Sequence, residues 1–316
     1  MFTNILICLG LLAVAGLCIW LARRALHLRN PFARWALAIV ASLPALLLIL
    51  ATGLISYGYY SLYRPRSAPA IQLDTAASPA RLARGEHLAR STCVACHTTS
   101  GELPLSGGFD LSVDSPLPIG NLVPPNLTPG GPLKDWSDAE IVQAIRNGLH
   151  QDGRVLLMPT EVLRNLSDED VASLVAFLRS QPAVSNDTPP VYVSPVLAMF
   201  VGAGLAPVGE EPVVKPVIAP AKAPTAEYGA YILSYQDCQS CHGPDLKGSP
   251  GGLGPAAPSV RAFLKNWTAE QFIQTMRTGV DPGGHPIQPP MPWKMIGQMD
   301  DDELTALYLY IRNMHE

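Results

Sequence analysis

Two pentapeptides decide the fold: Cys93-Val94-Ala95-Cys96-His97 and Cys238-Gln239-Ser240-Cys241-His242. Each has the form C-x-x-C-H, which is the pattern for covalent attachment of haem. Two thiols on one helical turn can add to the two vinyl groups of a haem, and the histidine that follows is then close enough to bind the iron. The motifs therefore predict two covalently bound haem c groups, with His97 and His242 as proximal ligands.

Other chemistries of paired cysteines fit these segments less well. A thioredoxin-like motif needs a βαβ surround, which neither segment has. A compact zinc site needs two C-x-x-C pairs about 15–20 residues apart, whereas Cys96 and Cys238 are far more widely separated. A structural disulfide would not explain the histidine after both pairs. Cys8 and Cys18 lie in an apolar run without a following histidine, and we interpret them as small apolar residues.

The sequence around the two motifs repeats. Residues 136–148 and 267–279 share a Trp, an N-capping Ser or Thr and a closing Gly, at an offset of 131 residues. Residues 167–179 and 300–312 match at an offset of 133, and both copies carry apolar residues at i, i+3, i+4 and i+7. The repeat predicts two copies of one all-helical domain.

The chain therefore divides into four parts. Residues 1–63 are expected to form a transmembrane helical hairpin, and residues 79–182 the first cytochrome c domain. Residues 183–225 would be a Pro-rich linker and residues 226–316 the second cytochrome c domain. The predicted fold is all-α, with a two-helix hairpin followed by two class I-like haem domains.

The linker is set apart by its composition. Nine prolines occur between positions 182 and 225, with few periodic apolar residues, which favours extended, non-helical chain. The apolar stretch Val196 to Leu205 is too short to span a membrane, and we expect it to pack along a domain surface.

Apolar residues are concentrated at the start of the chain. Ile5 to Leu21 and Trp35 to Tyr57 are uncharged apolar runs, and about 20 such residues cross a bilayer as a helix. Four basic residues lie between or beside them: Arg23, Arg24, Arg29 and Arg34. The positive-inside rule then places the Arg-rich hairpin loop in the cytoplasm and both chain ends on the other side.

Charge is distributed unevenly along the chain. All 26 acidic residues lie at or after Asp74, and the 18 basic and 26 acidic residues after position 60 leave a formal charge of −8. This charge suits a basic docking face on a partner protein, or simply the solubility of an acidic domain. The pattern does not resemble a nucleic-acid footprint, so we expect no nucleic-acid partner.

Each iron needs a second axial ligand unless its site is open. Met158 is the single methionine of the first domain, and it lies between the repeated helices. Met291 has the same setting in the second domain, with Met295 as its rival. His150 and His285 lie in the same segments and could give bis-histidine sites. Thioether ligation raises the haem potential relative to two nitrogen ligands, so His/Met sites would suit a high-potential acceptor.

From residue 79 onward the sequence resembles the dihaem and trihaem cytochrome c subunits of membrane-bound alcohol, aldehyde and gluconate dehydrogenases. The residues that carry the resemblance are Asn126-Leu127-Thr128-Pro129, Trp136-Ser137-Asp138-Ala139-Glu140, Asp152-Gly153-Arg154, Met158-Pro159, Gln181-Pro182-Ala183-Val184, Met291-Pro292-Trp293 and Asp300 to Arg312. The third C-x-x-C-H of the trihaem proteins is not present here.

The resemblance implies that Met158 and Met291 are the distal ligands. It also implies that the backbone carbonyl of Pro255 lies against the ring nitrogen of His242. It further implies a bacterial inner membrane, with the haem domains in the periplasm.

These observations predict an electron-transfer protein that is not itself an enzyme. It would take electrons from a dehydrogenase or a quinol-oxidising complex and deliver them to a soluble cytochrome or a terminal oxidase. One alternative is a dihaem peroxidase, which needs an open or displaceable iron position; two well-placed methionines argue against it. Another is an obligate haem subunit of a larger respiratory complex.

Overall fold

The computed structural model describes residues 2–113, 115–251 and 256–314 of the 316-residue chain. It begins with two long helices that pack against each other, α1 (Phe2–Ala25) and α2 (Pro31–Tyr63). Asn30 caps α2 by accepting hydrogen bonds from the amides of Phe32 and Ala33. Both helices are long and apolar enough to cross a membrane. At 1.5 Å per residue, α2 is about 50 Å long and exceeds a bilayer core of about 30 Å.

The first helical domain follows the hairpin. Its elements are α3 (Pro79–Leu88), a π-helical turn (Ala89–Cys93), α4 (Val94–His97), β1 (Gly120–Asn121), a 3-10 turn (Pro132–Asp135), α5 (Asp138–Asn147), α6 (Thr160–Leu163) and α7 (Asp168–Ser180). The predicted N-cap Ser137 forms a capping box with Glu140. Gly148 ends α5 with a left-handed φ of 61°, a conformation that glycine adopts without strain.

The linker contains β2 (Tyr192–Val193) and a short helix, α8 (Pro195–Gly202). The second domain consists of α9 (Ala226–Tyr235), α10 (Cys238–His242), α11 (Val260–Leu264), α12 (Ala269–Thr278), α13 (Trp293–Ile296) and α14 (Asp301–Asn313). Its predicted N-cap Thr268 forms a capping box with Gln271, and Gly279 ends α12 with a φ of 71°. The caps of the two domains therefore correspond, as the repeat predicts.

The two domains also repeat one close helix contact. In the first domain, a Cβ on Gly85 of α3 would overlap the carbonyl oxygen of Ser173 in α7. In the second, a Cβ on Gly229 of α9 would overlap the carbonyl oxygen of Ala306 in α14. Ser173 and Ala306 are related by the same offset of 133 residues. These equivalent contacts agree with the predicted all-α fold of two copies of one domain.

The linker departs from the expected extended chain at α8. Ser194 caps this helix and Pro195 occupies its first turn, a combination that favours helix initiation. The expectation that residues 196–205 pack along a domain surface is wrong, because α8 packs on the membrane hairpin. A Cβ on Gly58 of α2 would overlap the carbonyl oxygen of Ala198, so the missing side chain permits the contact.

The two domains form one body, because a single hydrophobic core contains buried residues of both. Polar contacts cross the same interface. Arg84 of α3 bonds to Asp170 of its own domain and to Glu303 of the second. Tyr231 of α9 donates to Asp170 at 2.5 Å in return. The domains are therefore joined by direct packing and not only by the linker.

Candidate haem sites

Both C-x-x-C-H motifs lie in short helices that directly follow the first helix of their domain. In the first domain the π-helical turn Ala89–Cys93 connects α3 to α4, so that Cys93, Cys96 and His97 fall on consecutive turns of one helical path. In the second domain the whole motif forms α10. All four motif cysteines are free. The predicted pairs of thiols are therefore each brought onto one turn of helix, beside their histidine.

Burial makes the motif thiols poor acids. It raises the pKa of Cys93 and of Cys238 to about 12, with a smaller contribution from neighbouring negative groups. It also raises the pKa of Cys96 and of Cys241. A reactive redox dithiol needs a thiolate at neutral pH and hence a lowered pKa. The environment of these thiols therefore does not favour the thioredoxin-like alternative.

The two motif histidines share one tautomer. Nδ1 of His97 lies 2.9 Å from the carbonyl oxygen of Pro125, and Nδ1 of His242 lies 2.8 Å from that of Pro258. Because a carbonyl oxygen only accepts hydrogen bonds, Nδ1 carries the proton and Nε2 keeps its lone pair. Removal from water also lowers the pKa of His97 and favours the neutral imidazole. Each ring therefore presents Nε2 as a ligand for a metal ion.

The carbonyl that orients His242 is not at the residue that the resemblance implied. Pro255 lies outside the described residues, and the hydrogen bond from His242 is to the carbonyl of Pro258, three residues further on. Because the contact uses a backbone atom, the side chain at that position does not mark it. Pro125 has the same role in the first domain without having been singled out by the sequence.

These residues fit haem c. The attachment of this group requires two unpaired thiols close together and an imidazole nitrogen available to the iron. Both motifs provide this set, and in both the far ring nitrogen is held by a carbonyl, which fixes the ring orientation of a metal-binding histidine.

Met158 and Met291 have equivalent positions in the two domains. Each is partly buried and directly precedes a proline that stands at the N-terminus of a one-turn helix, Pro159 before α6 and Pro292 before α13. In each case the methionine carbonyl accepts a hydrogen bond from the first residue of that helix, at 2.6 Å for Met158 and 2.9 Å for Met291. Their backbone settings therefore match.

The path to each methionine also matches, apart from an insertion. The amide of Leu156 bonds to the carbonyl of Gly148, and the amide of Ile287 bonds to that of Gly279, both at 2.7 Å and at an offset of 131 residues. Two additional residues precede Met291, which changes the offset to 133. Met295 lies inside α13, where its counterpart in the first domain is a valine.

The two histidines of these segments have other partners. The ring of His150 stands edge-on to Trp136 at 5.0 Å between centroids and lies 3.0 Å from a carboxylate oxygen of Asp152. The side chain of His285 is 80% exposed and pairs with Asp281. Both histidines are thus accounted for as loop residues.

A repeated arginine, which the sequence reasoning missed, fixes the segment between the methionine and the last helix. Arg146 is fully buried and donates to the carbonyl oxygens of Arg164 and Leu166 and to Asp168 at the start of α7. Arg277, 131 residues on, bonds to the carbonyl of Gly297 and to Asp301. Its recurrence in the repeat was the available signal.

The two motifs lie side by side at the domain interface. The Gln236 side-chain amide, two residues before Cys238, donates to the carbonyl oxygen of Ser91 at 3.2 Å and to the hydroxyl of Thr92 at 3.3 Å. After the effect of burial, the charge of Asp237 is a further cause of the raised pKa of both Cys96 and Cys241. The α13 helix of the second domain also packs on the π-helical turn of the first.

Comparison with known sequences assigns both domains. Residues 80–178 match the sequence model of the cbb3-type cytochrome c oxidase subunit III family, and residues 226–315 match that of the cytochrome c family. Together with the fold and the motifs, these matches define a c-type cytochrome with two cytochrome c domains, which implies covalently bound c-type haem.

The chain belongs with the cytochrome c subunits of dehydrogenases. It is 28% identical over 261 residues to the gluconate 2-dehydrogenase cytochrome c subunit of Pantoea cypripedii, covering 77% of this chain and 54% of that protein. It is 28% identical over 219 residues to the alcohol dehydrogenase (quinone) cytochrome c subunit of Gluconobacter oxydans, covering 65% and 45%. A nicotinate dehydrogenase subunit from Pseudomonas putida is 30% identical over 228 residues, covering 64% and 18%. The chain thus spans about half of these relatives' length or less.

Proposed function

We propose that this protein is a membrane-anchored dihaem cytochrome c that carries electrons for a dehydrogenase and does not itself act on the substrate. The observation that carries the proposal is the hydrogen bond from Gln236 to Ser91, which joins the two motif segments. The parts of the protein would be the hairpin (1–63), the linker (183–225) and the haem domains (79–182 and 226–316).

Each haem site would use four residues of its own domain. In the first, Cys93 and Cys96 form the thioether bonds, His97 is the proximal ligand and Met158 the distal ligand. In the second, the corresponding residues are Cys238, Cys241, His242 and Met291. When bound, haem supplies a one-electron iron couple whose potential depends on the axial ligands. The matching settings of Met158 and Met291 support this assignment over Met295.

The contact between the motif segments supports electron exchange within the chain. Gln236 bridges the residues that precede the two motifs, and the shared core holds the domains in one arrangement. One domain could then receive an electron while the other delivers it. The residues of the chain contribute by fixing both imidazoles and by keeping the two sites adjacent.

The proposed electron donor is a dehydrogenase or a quinol-oxidising complex, and the proposed acceptor is a soluble cytochrome or a terminal oxidase. The names of the relatives support a dehydrogenase. The formal charge of −8 after position 60 suits a partner with a basic docking face.

The proposed location is a bacterial inner membrane. The apolar character of α1 and α2 supports an anchor. The arginines around their connection support a cytoplasmic hairpin loop and periplasmic haem domains.

Absorption spectra of the purified full-length protein test the ligand assignment. We expect two haems per chain and a methionine–iron charge-transfer band. Met158→Ala and Met291→Ala should each remove about half of this band, since each would remove one of two thioether ligands. Met295→Ala is the matched control and should leave the band intact. A band that survives in Met291→Ala but is halved in Met295→Ala would contradict the assignment.

Extraction with a mild detergent tests the partner. We expect a dehydrogenase to co-purify with the full-length chain and to reduce its haems when the substrate of that dehydrogenase is added. Recovery of the chain with an oxidase alone, and no reduction by any dehydrogenase fraction, would contradict the proposed donor.

A further inference from the structure

The first domain carries an apolar loop whose side chains are directed to the outside. In the loop of residues 109–113, Phe109 is 51% exposed, Leu111 43% and Val113 75%. Three large apolar side chains this close together form a patch, and exposed apolar patches mark surfaces that contact a protein or a membrane.

The polar groups of the 109–113 loop are turned inward. The Asp110 carboxylate accepts hydrogen bonds from the amide of Ser112 at 2.9 Å, from its hydroxyl at 2.7 Å and from the amide of Leu122 at 2.9 Å. The amide of Leu111 donates to the carbonyl of Leu122 at 3.2 Å. This bonding holds the loop in a conformation in which the alternate, apolar residues face outward.

The 109–113 loop is attached to the outer end of the hairpin. Leu122 directly follows β1, and β1 pairs with β2 in antiparallel register, Gly120 opposite Val193. The Val193 carbonyl accepts hydrogen bonds from the side chains of Asn4 and Tyr59, at 3.3 and 3.1 Å. Asn4 lies near the start of α1 and Tyr59 near the end of α2. The loop therefore lies close to the level at which both helices would leave the bilayer.

An uncharged segment of the linker continues the same surface. Residues 188–209 contain no acidic or basic side chain, and their helix α8 packs on α2. Ser194, at its N-cap, bonds to the carbonyls of Pro118 and Ile119 beside β1. Leu205, just beyond α8, is 66% exposed. Apolar surface thus runs from the hairpin to α8 and to the 109–113 loop.

We propose that the 109–113 loop and the segment at Leu205 insert into the outer leaflet of the bilayer and hold the first domain against the membrane. The proposal rests on the proposed membrane anchor. A lipid surface is the occupant that fits, because the apolar residues adjoin two helices of membrane-spanning length through direct hydrogen bonds. Interfacial apolar side chains bind in proportion to the apolar area that they bury. The membrane contact would give the haem domains a fixed orientation.

Site-directed spin labelling of the full-length holoprotein in liposomes of phosphatidylcholine and phosphatidylglycerol tests this. In a Cys8→Ala, Cys18→Ala background, one nitroxide is placed by Val113→Cys. An exposure-matched control is placed by Ile218→Cys, since Ile218 is 85% exposed in the linker. We expect the ratio of oxygen access to nickel-chelate access at position 113 to rise several-fold above that at position 218.

The outcomes separate the inference from the anchor. If the protein floats with the liposomes but position 113 has the water-like ratio of position 218, the membrane contact is refuted and the anchor stands. Protection of a water-exposed position 113 only after the dehydrogenase is added would assign the patch to a protein and refute the lipid contact. Equal oxygen enrichment at both positions would refute a specific surface. Failure to float would overturn the anchor and the membrane contact together.

Discussion

Arg84 of the first domain donates a hydrogen bond of 2.8 Å to Glu303 of the second. The side chain of Glu303 is 1% exposed, and that of Arg84 is 21% exposed. The same guanidinium makes two further bonds, of 2.7 and 2.9 Å, to the carboxylate of Asp170. One cation therefore compensates two buried carboxylates that belong to different domains.

The two carboxylates are equivalent in the repeat. Asp170 and Glu303 are each the third residue of the last helix of their domain. Each also accepts a hydrogen bond from the first helix of the opposite domain, Asp170 from Tyr231 and Glu303 from His87. The interface thus has approximate two-fold symmetry, with Arg84 as an asymmetric addition.

Replacing Arg84 should weaken the protein strongly. Arg84→Met would leave two buried carboxylates without their shared cation, and removal of one partner of a buried ion pair costs about 3–5 kcal/mol. Denaturant unfolding of the holoprotein measures the loss. The control is Arg90→Met, which breaks a more exposed pair with Glu86 and should cost at most about 1 kcal/mol. Similar losses in both variants would show that Arg84 acts as an ordinary surface residue.

The pH dependence of stability should report on Glu303. Burial alone would raise its pKa, but the bonds from His87 and Arg84 outweigh burial and lower it from 4.5 to about 2. A group with a lowered folded-state pKa stabilises the protein above its unfolded-state pKa, and this contribution is lost as the pH falls. We expect the loss between about pH 4.5 and pH 2.

Denaturant unfolding across this acidic range measures the effect. Each unit of pKa shift corresponds to about 1.36 kcal/mol, so the loss should amount to a few kcal/mol. In Glu303→Gln the slope of stability against pH should be smaller, because the variant has no carboxyl to protonate there. An unchanged slope would assign the acid sensitivity to other groups.

The sequence predicts the haem sites well because their chemistry depends on local spacing. The C-x-x-C-H motifs, the N-caps Ser137 and Thr268, and the setting of Met158 all depend on residues within a few positions of each other. The domain interface could not be predicted in this way. Arg84 and Tyr231 meet their partners only after two domains have docked, so no periodicity in the chain marks them.

Two other features lay beyond the sequence for different reasons. The bond from His242 to Pro258 uses a backbone carbonyl, and backbone atoms leave no residue-specific signal. The helix α8 was hidden by the proline-rich composition around it, although Ser194 followed by Pro195 is a helix-start signal. Its packing on α2 depends on Gly58, whose role appears only when the two backbones are close.

The contact between α2 and α8 should fail when Gly58 is enlarged. In Gly58→Val the side chain would overlap the backbone of Ala198, and a packed backbone cannot move aside without losing other contacts. We expect α8 to detach and limited proteolysis to cut the linker near residues 203–209 faster than in the parent protein. Gly53→Val in the same helix is the control, because a Cβ there meets no atom within 4 Å. Equal cleavage of all three proteins would contradict this packing role.

Asp237 should influence both haem potentials. Its charge acts on Cys96 of the first motif and on Cys241 of the second, and a nearby negative charge favours the oxidised, more positive state of each site. Asp237→Asn should therefore raise both midpoint potentials in a redox titration. Because Asp237 is exposed and water screens it, each shift should be smaller than about 59 mV, the value for a tenfold change in a one-electron equilibrium. Asp245→Asn, whose carboxylate is paired with Lys247, serves as the control. A shift at one site only would show that the two sites do not share this charge.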